Sequence, residues 1–377
     1  MIKSFKVRLY PTKVQEELIW KHIGCSRFIW NYMLALQNER YKNGEKFLSR
    51  FDMIKLLTPL KKQDEYKWLN EVSNTTLQIV CTDLHKAFQS MFNKIAKHPK
   101  FKSKKLAKAS YPVGSDNKRF YFIGDKVNIE KLGKIKYKST YKFPEGHGVG
   151  KYSNARVSYA NGKWILSFGM ECESQAFDLN GRIGIDLGVK ELAVVSHDGE
   201  QMVFHNINKS KRVRTLKHKL VHLQRKVARK YRTNGNYEKS NAIIKVEQQI
   251  KEICYHLSKI RENYIHQTTH RLVSLNPEVI TMEDLNVSGM MKNRHLSKAI
   301  QEQCFYEFRR QMEYKCEDRG IKLQFVDRFY PSSKTCSCCG SIKKDLKLFD
   351  RTYKCNECGL IIDRDFNAAL NLERYVG

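Results

Sequence analysis

Acid is the scarce commodity of this sequence: 39 Asp and Glu stand against 69 Lys and Arg in 377 residues, a formal net charge of +30. A compact chain with that imbalance repels itself unless a polyanion neutralises it. Nucleic acid is the first candidate, because lysines and arginines gain affinity by displacing counterions from phosphates. An anionic membrane surface ranks second, since the basic residues are spread along the chain and not gathered in one amphipathic segment. No apolar run reaches about 18 residues, which excludes a membrane-spanning helix. The opening Lys3-Ser4-Phe5-Lys6-Val7-Arg8-Leu9 alternates charge with bulk and lacks the apolar core of a signal peptide. Disulfide pairing is disfavoured too. The 11 cysteines are an odd number, six of them single in apolar segments and five packed near the C-terminus. That usage fits a reduced, cytoplasmic compartment. Internal repeats and low-complexity segments are absent.

The length asks for about two to four modules. Residues 1–10 read as a strand with Phe5, Val7 and Leu9 on its buried face. Thr12 and Gln15 have capping-box spacing and open a helix. Apolar residues recur at helical intervals from Leu18 to Leu36, with Gly24 expected to separate two helices. Two readings fit: a helix-turn-helix, or a small bundle whose stripe is only core. A further helix spans about 74–95 with Leu77, Val80, Leu84, Phe88 and Met91 on one face, and Thr76, Gln78 and His85 off it. The run from His98 to Lys105 sets one aromatic among charges and is a candidate phosphate contact through Lys102, Lys104 and Lys105. From Tyr111 to Cys172 the texture turns to short strands, with Asn161-Gly162 a hairpin signal. These strands and residues 1–10 are expected to close a β-barrel (1–10 and 106–180) into which a helical recognition region (11–105) is inserted.

The stretch Arg182-Ile183-Gly184-Ile185-Asp186-Leu187-Gly188 places one carboxylate near the end of a buried strand. Such an aspartate is costly to bury unless something positive meets it, and a metal is the usual solution. A helical hairpin is expected over 208–275, folding back at Thr233-Asn234-Gly235-Asn236 and dense in Lys and Arg outside. A second buried strand ends in acid at Met282-Glu283-Asp284. A helix from about Leu296 to Arg319 and a strand from Ile321 to Val326 complete an α/β arrangement of a mixed sheet covered by helices.

Two motifs carry chemistry. Cys336-Ser337-Cys338-Cys339-Gly340 and Cys355-Asn356-Glu357-Cys358-Gly359 are paired knuckles. Four thiolates at that spacing suit a closed, structural tetrahedral Zn²⁺ on Cys336, Cys339, Cys355 and Cys358, with Cys338 surplus. Asp186, Glu283 and Asp365 lie on separate elements that could converge at one sheet edge. Hard oxygen ligands of that kind suit Mg²⁺ and phosphodiester cleavage. Asp284 and Asp363 read as solvated or helix-capping carboxylates.

Gly184-Ile185-Asp186-Leu187-Gly188, Met282-Glu283-Asp284-Leu285, Pro331-Ser332-Ser333-Lys334-Thr335-Cys336 and Asp363-Arg364-Asp365-Phe366-Asn367-Ala368-Ala369 together resemble the TnpB family. These are transposon-encoded, RNA-guided nucleases of bacterial insertion sequences, related to compact type V CRISPR effectors. The resemblance covers essentially the whole chain. It implies an RNase H-like RuvC nuclease domain (181–330 and 363–377) interrupted by a zinc ribbon (331–362), and an N-terminal barrel carrying the recognition helices. It matches Asp186, Glu283 and Asp365 to the family's catalytic acids. It also implies a guide RNA from the transposon end that pairs with one strand of a double-stranded DNA target, while the protein reads a short flanking motif. The helix holding Asn74 and Gln78 is the expected place for that reading. A monomer is expected. Many members continue beyond the last motif, so a C-terminal helix or tail is expected to be missing after Gly377. A conventional transposase, or a guided repressor that no longer cuts, are the alternatives; the latter should lack one of the acids, and none is lacking.

Overall fold

The chain divides into two units, Met1–Glu173 and Ser174–Gly377, each making most of its contacts within itself. The computed structural model describes residues 2–116, 119–173, 176–233, 239–347 and 349–376.

In the first unit, strand β1 (Ile2–Tyr10) leads through the capping box into helix α1 (Lys13–Lys42). Thr12 Oγ1 accepts from the Gln15 amide at 3.3 Å, and Gln15 Oε1 accepts from the Thr12 amide at 3.0 Å. Helix α1 runs unbroken through Gly24, so the expected separation there does not occur. A β-carbon at Gly24 would meet nothing within 4 Å. The ~1 kcal/mol that a helical glycine costs is outweighed by the flanking core residues Ile19, Ile23, Ile29, Met33 and Leu34. With one strand and one helix in this stretch, no helix-turn-helix forms, and the bundle reading holds. Helices α2 (Arg50–Lys62) and α3 (Asn74–Phe92) share a core with α1 built on Met33, Met53, Leu57, Leu77 and Leu84. Thr76, expected off the buried face, is buried, its hydroxyl donating to the Pro112 carbonyl at 2.9 Å.

Six more strands complete a seven-stranded antiparallel sheet: β2 (Ser110–Pro112), β3 (Tyr121–Ile123), β4 (Lys126–Ile129), β5 (Gly133–Lys138), β6 (Tyr152–Ala160) and β7 (Lys163–Glu171). Their order is β2-β6-β7-β1-β5-β4-β3. Asn161 and Gly162 both have positive φ, 50° and 77°, the backbone that a two-residue hairpin between β6 and β7 requires.

The second unit is built on a mixed five-stranded sheet ordered β10-β9-β8-β11-β12. Its strands are β8 (Arg182–Leu187), β9 (Glu191–His197), β10 (Glu200–His205), β11 (Val279–Glu283) and β12 (Lys322–Val326). The first three run antiparallel, and β11 is parallel to both β8 and β12. Helices α4 (Lys211–Thr233) and α5 (Asn241–Val273) pair along Val213, Leu223, Val246, Ile253 and Leu257. The expected break at 234–236 lies outside the described residues. The helix expected over 296–319 is interrupted. After the short α6 (Val287–Met290), α7 (Ser297–Gln303) and α8 (Phe305–Arg319) meet at Cys304, which is left-handed at φ 55°. Each half answers to its own partner: the Gln303 side chain donates to the Gly188, Val189 and Glu191 carbonyls, while Phe308 and Met312 enter the sheet core. The small hairpin β13 (Thr352–Lys354) and β14 (Ile361–Asp363) precedes the last helix, α9 (Arg364–Glu373). Among the described residues, no helix is long and apolar enough to cross a membrane.

Candidate active site and metal centre

Strand β8 sorts its side chains by alternation. Ile183 and Ile185 join the core shared with α5 and α8, which leaves Gly184 and Asp186 on the opposite face. Helix α9 crosses that face at contact distance: a β-carbon on Gly184 would lie 2.0 Å from the Ala369 carbonyl oxygen and 2.3 Å from the Glu373 amide nitrogen. The helix runs antiparallel to the strand. Arg182 donates to the Tyr375 carbonyl at the foot of β8, and Ser196, which pairs with Gly184, donates to Glu373. Continuing that direction, the first turn of α9 carries Asp365 toward Asp186. Asp363 is the cap, its Oδ1 accepting from the Asp365 and Phe366 amides at 2.9 and 3.0 Å.

Glu283 arrives by register. Ile185 pairs with Met282 in the parallel ladder, so the next rung sets Asp186 beside Glu283 on neighbouring strands with side chains on the same face. Burial, followed by the negative charges of Glu283 and Asp365, pushes the Asp186 carboxyl well above its ordinary value, and Arg364 only partly offsets this. An opposite charge at such an acidic cluster would favour the ionised form of its carboxyls. Asp284 is directed elsewhere. It is neither a cap nor simply solvated: Arg309 and Arg328 bind it at 2.6 and 3.2 Å, and the Arg309 hydrogen bond holds its carboxyl low.

Among the described residues, the group of metal-ligand type whose donor atoms all lie within 4.8 Å of one another is Cys336, Cys339, Cys355 and Cys358; the three carboxylates are not drawn that close. The Cys336–Cys358 and Cys339–Cys355 sulfur pairs are each 3.6 Å apart. A tetrahedral Zn²⁺ with Zn–S bonds of about 2.3 Å needs edges of about 3.8 Å, so the thiols fit the ion. Gly340 and Gly359, at φ 76° and 73°, supply the curl after each knuckle. Cys338 is an exposed free thiol.

The candidate nucleic-acid residues of the first unit do not form one site. Asn74 is exposed, its Oδ1 accepting from Lys61 Nζ at 2.9 Å, and Gln78 is half-buried one turn on. Lys102 folds inward, its Nζ 3.4 Å from the centre of the Trp30 ring. Asn31 clamps the Lys102 backbone through both amide and carbonyl. A cavity of about 530 Å³ here is lined by Trp20, Arg27, Trp30, Lys102, Lys104 and Arg156, without Asn74, Gln78 or Lys105. Lys104 and Lys105 are exposed. Helix α4 carries ten Lys and Arg and no acid.

Sequence reasoning missed the residues that tie the ribbon to the acids. Ser332 donates to Glu283 Oε1 at 2.5 Å. Asn371 donates to the Ser332 and Thr335 carbonyls, and Asn367 bonds the Thr335 carbonyl and the Ser337 amide. Asn and Ser beside the metal motifs were the available signal, but no spacing rule links position 332 to 283.

Three family models match the chain. "Probable transposase" covers residues 169–294, "Cas12f1-like, TNB domain" covers 305–372, and "Helix-turn-helix domain" covers 1–46, where the structure holds one strand and one long helix. A Streptomyces pristinaespiralis protein provisionally named an RNA-guided DNA endonuclease is 30% identical over 374 residues, 98% of this chain and 88% of that protein. InsQ of Escherichia coli K12, also provisionally named an RNA-guided DNA endonuclease, is 30% identical over 393 residues, 98% of this chain and 91% of its own. The cryo-EM structure of a Cas12f1–sgRNA–target DNA complex shares the fold, with a TM-score of 0.61 at 13% identity over 99% of this chain and 98% of that one. A likeness sustained from the first strand to the last helix, at the level of both sequence and fold, places the chain in the TnpB family.

Proposed function

We propose that the chain is an RNA-guided DNA endonuclease of a bacterial insertion sequence, cutting phosphodiester bonds with Mg²⁺ held by Asp186, Glu283 and Asp365. The observation that carries this reading is the β8–β11 register, which sets Asp186 beside Glu283 on the face that α9 crosses with Asp365 in its first turn. When bound, Mg²⁺ would activate a water and stabilise the leaving oxygen. The protein's part is to hold three carboxylates on elements that cannot drift apart, two on hydrogen-bonded strands and one on a capped helix. Burial first, and then the negative charges of Glu283 and Asp365, raise the Asp186 pKa, and a divalent ion would offset both.

The order of the five-stranded sheet and its covering helices support an RNase H-like RuvC domain interrupted by a zinc ribbon. The seven strands around Phe120, Phe122, Phe143 and Phe168 would be the N-terminal barrel. The partners are a guide RNA from the transposon end and a double-stranded DNA target, bound by a cytoplasmic monomer. The acid-free helix α4 would meet their phosphates, as would Lys102, Lys104 and Lys105, and the helix bearing Asn74 and Gln78 would read the flanking motif. Alanine at Asp186, Glu283 or Asp365 should abolish Mg²⁺-dependent cutting while leaving nucleic-acid binding largely intact. Asp363→Ala should cost only the helix cap, about 1 kcal/mol. Near wild-type cutting by any of the three would refute the site.

A further inference from the structure

We infer that Ser332 is a positioning residue for Glu283: its hydroxyl fixes one carboxylate oxygen and so aims the other at the metal. This rests on the metal site proposed above. Three observations carry it. The Ser332 Oγ donates to Glu283 Oε1 at 2.5 Å across 49 residues of sequence, so the contact is tertiary and not a by-product of a local turn. Ser332 is 3% exposed, which denies its hydroxyl the option of swinging out to water. Its backbone is also held from the far side, where Asn371 of α9 donates to the Ser332 carbonyl at 2.7 Å and to the Thr335 carbonyl at 2.7 Å.

The consequence is a three-way clasp. Helix α9 delivers Asp365 and, two turns on, grips the loop that delivers Ser332 to Glu283. One rigid element thus sets two of the three acids. A glutamate at a strand end has three side-chain torsions, and nothing in β11 fixes the last of them. The Ser332 hydrogen bond removes that freedom, and Oε2 makes no hydrogen bond among the described residues. Outer partners of metal-binding carboxylates act this way in general, by orienting the ligand before the ion arrives.

The test measures Mn²⁺ binding to the RNA-free full-length chain by electron paramagnetic resonance, with zinc content and thermal midpoint recorded for every variant. Ser332→Ala should weaken Mn²⁺ binding about 10- to 100-fold, and Ser332→Thr, which keeps the hydroxyl, should recover most of it. In a Glu283→Gln background, Ser332→Ala should add nothing. Wild-type Mn²⁺ affinity in Ser332→Ala would overturn the inference. So would an equal loss in both backgrounds, since the serine would then act through the fold and not through Glu283. If Glu283→Gln alone binds Mn²⁺ like wild type, the metal-site assignment itself has failed, an outcome separate from failure of the serine.

Discussion

A β-carbon on Gly184 would stand 2.0 Å from the carbonyl oxygen of Ala369, so strand β8 and helix α9 meet backbone to backbone. Only glycine permits that approach, and the approach is what brings Asp365 down to Asp186. Gly184→Ala should therefore push α9 off the sheet. The expected cost is about 3 kcal/mol or more, read by chemical denaturation. Cutting should fall further than stability alone accounts for, because the acids separate. A Gly184→Ala protein with wild-type stability would mean that the crossing is looser than described.

Lys102 sets stability against binding. Burial, with the nearby Arg156 charge, lowers its pKa to about 8 while Asp83 opposes this. The unfolded chain keeps an ordinary lysine near 10.4. Below about pH 8 the folded protein must carry a charge it disfavours, so stability rises as pH climbs through about 8 toward 10.4 and the penalty is complete below that window. Lys102→Met should stabilise the free protein at pH 7 by about 1 kcal/mol, a figure discounted for partial solvent access, and the gain should vanish by about pH 10.5. The same variant should bind nucleic acid more weakly and with a shallower salt dependence. Unchanged stability across the pH range would show that the ammonium is well solvated.

The ribbon should depend on its metal. Its core is small, Tyr353 and Leu346 packed against Cys336 and Cys355, so ion binding would supply much of its folding energy. Cys355→Ser should lower zinc content and raise hydrogen exchange over residues 331–362. Loosening that segment should also reduce cutting, because Ser332 lies within it and Asp365 follows it directly. Equal zinc in mutant and wild type would contradict the assignment.

Local signals were legible in the sequence where one interaction decides a structure. The Thr12–Gln15 box, the Asn161-Gly162 turn and the glycines after each cysteine knuckle all formed as their chemistry requires. The strand ends bearing Asp186 and Glu283 were legible too, because an isolated acid in an apolar run is conspicuous. What failed was punctuation governed by tertiary packing. Gly24 reads as a break, yet core contacts on both sides carry α1 through it. The 296–319 stretch reads as one helix, yet Gln303 is pulled to the 188–191 turn and the chain breaks at Cys304. Ser332, Asn367 and Asn371 were invisible as a clasp, because their partners are set by the packing of α9 and not by sequence spacing.

If RNA supplies the target specificity, cleavage should follow the RNA and not the protein alone. Protein stripped of RNA by nuclease and high salt is offered matched double-stranded DNA in Mg²⁺, with and without the co-purifying RNA restored. The stripped protein should make no specific cut, and cutting should return only when the RNA is restored and the DNA matches it. Site-specific cleavage by the stripped protein would rule out RNA guidance and favour a conventional transposase.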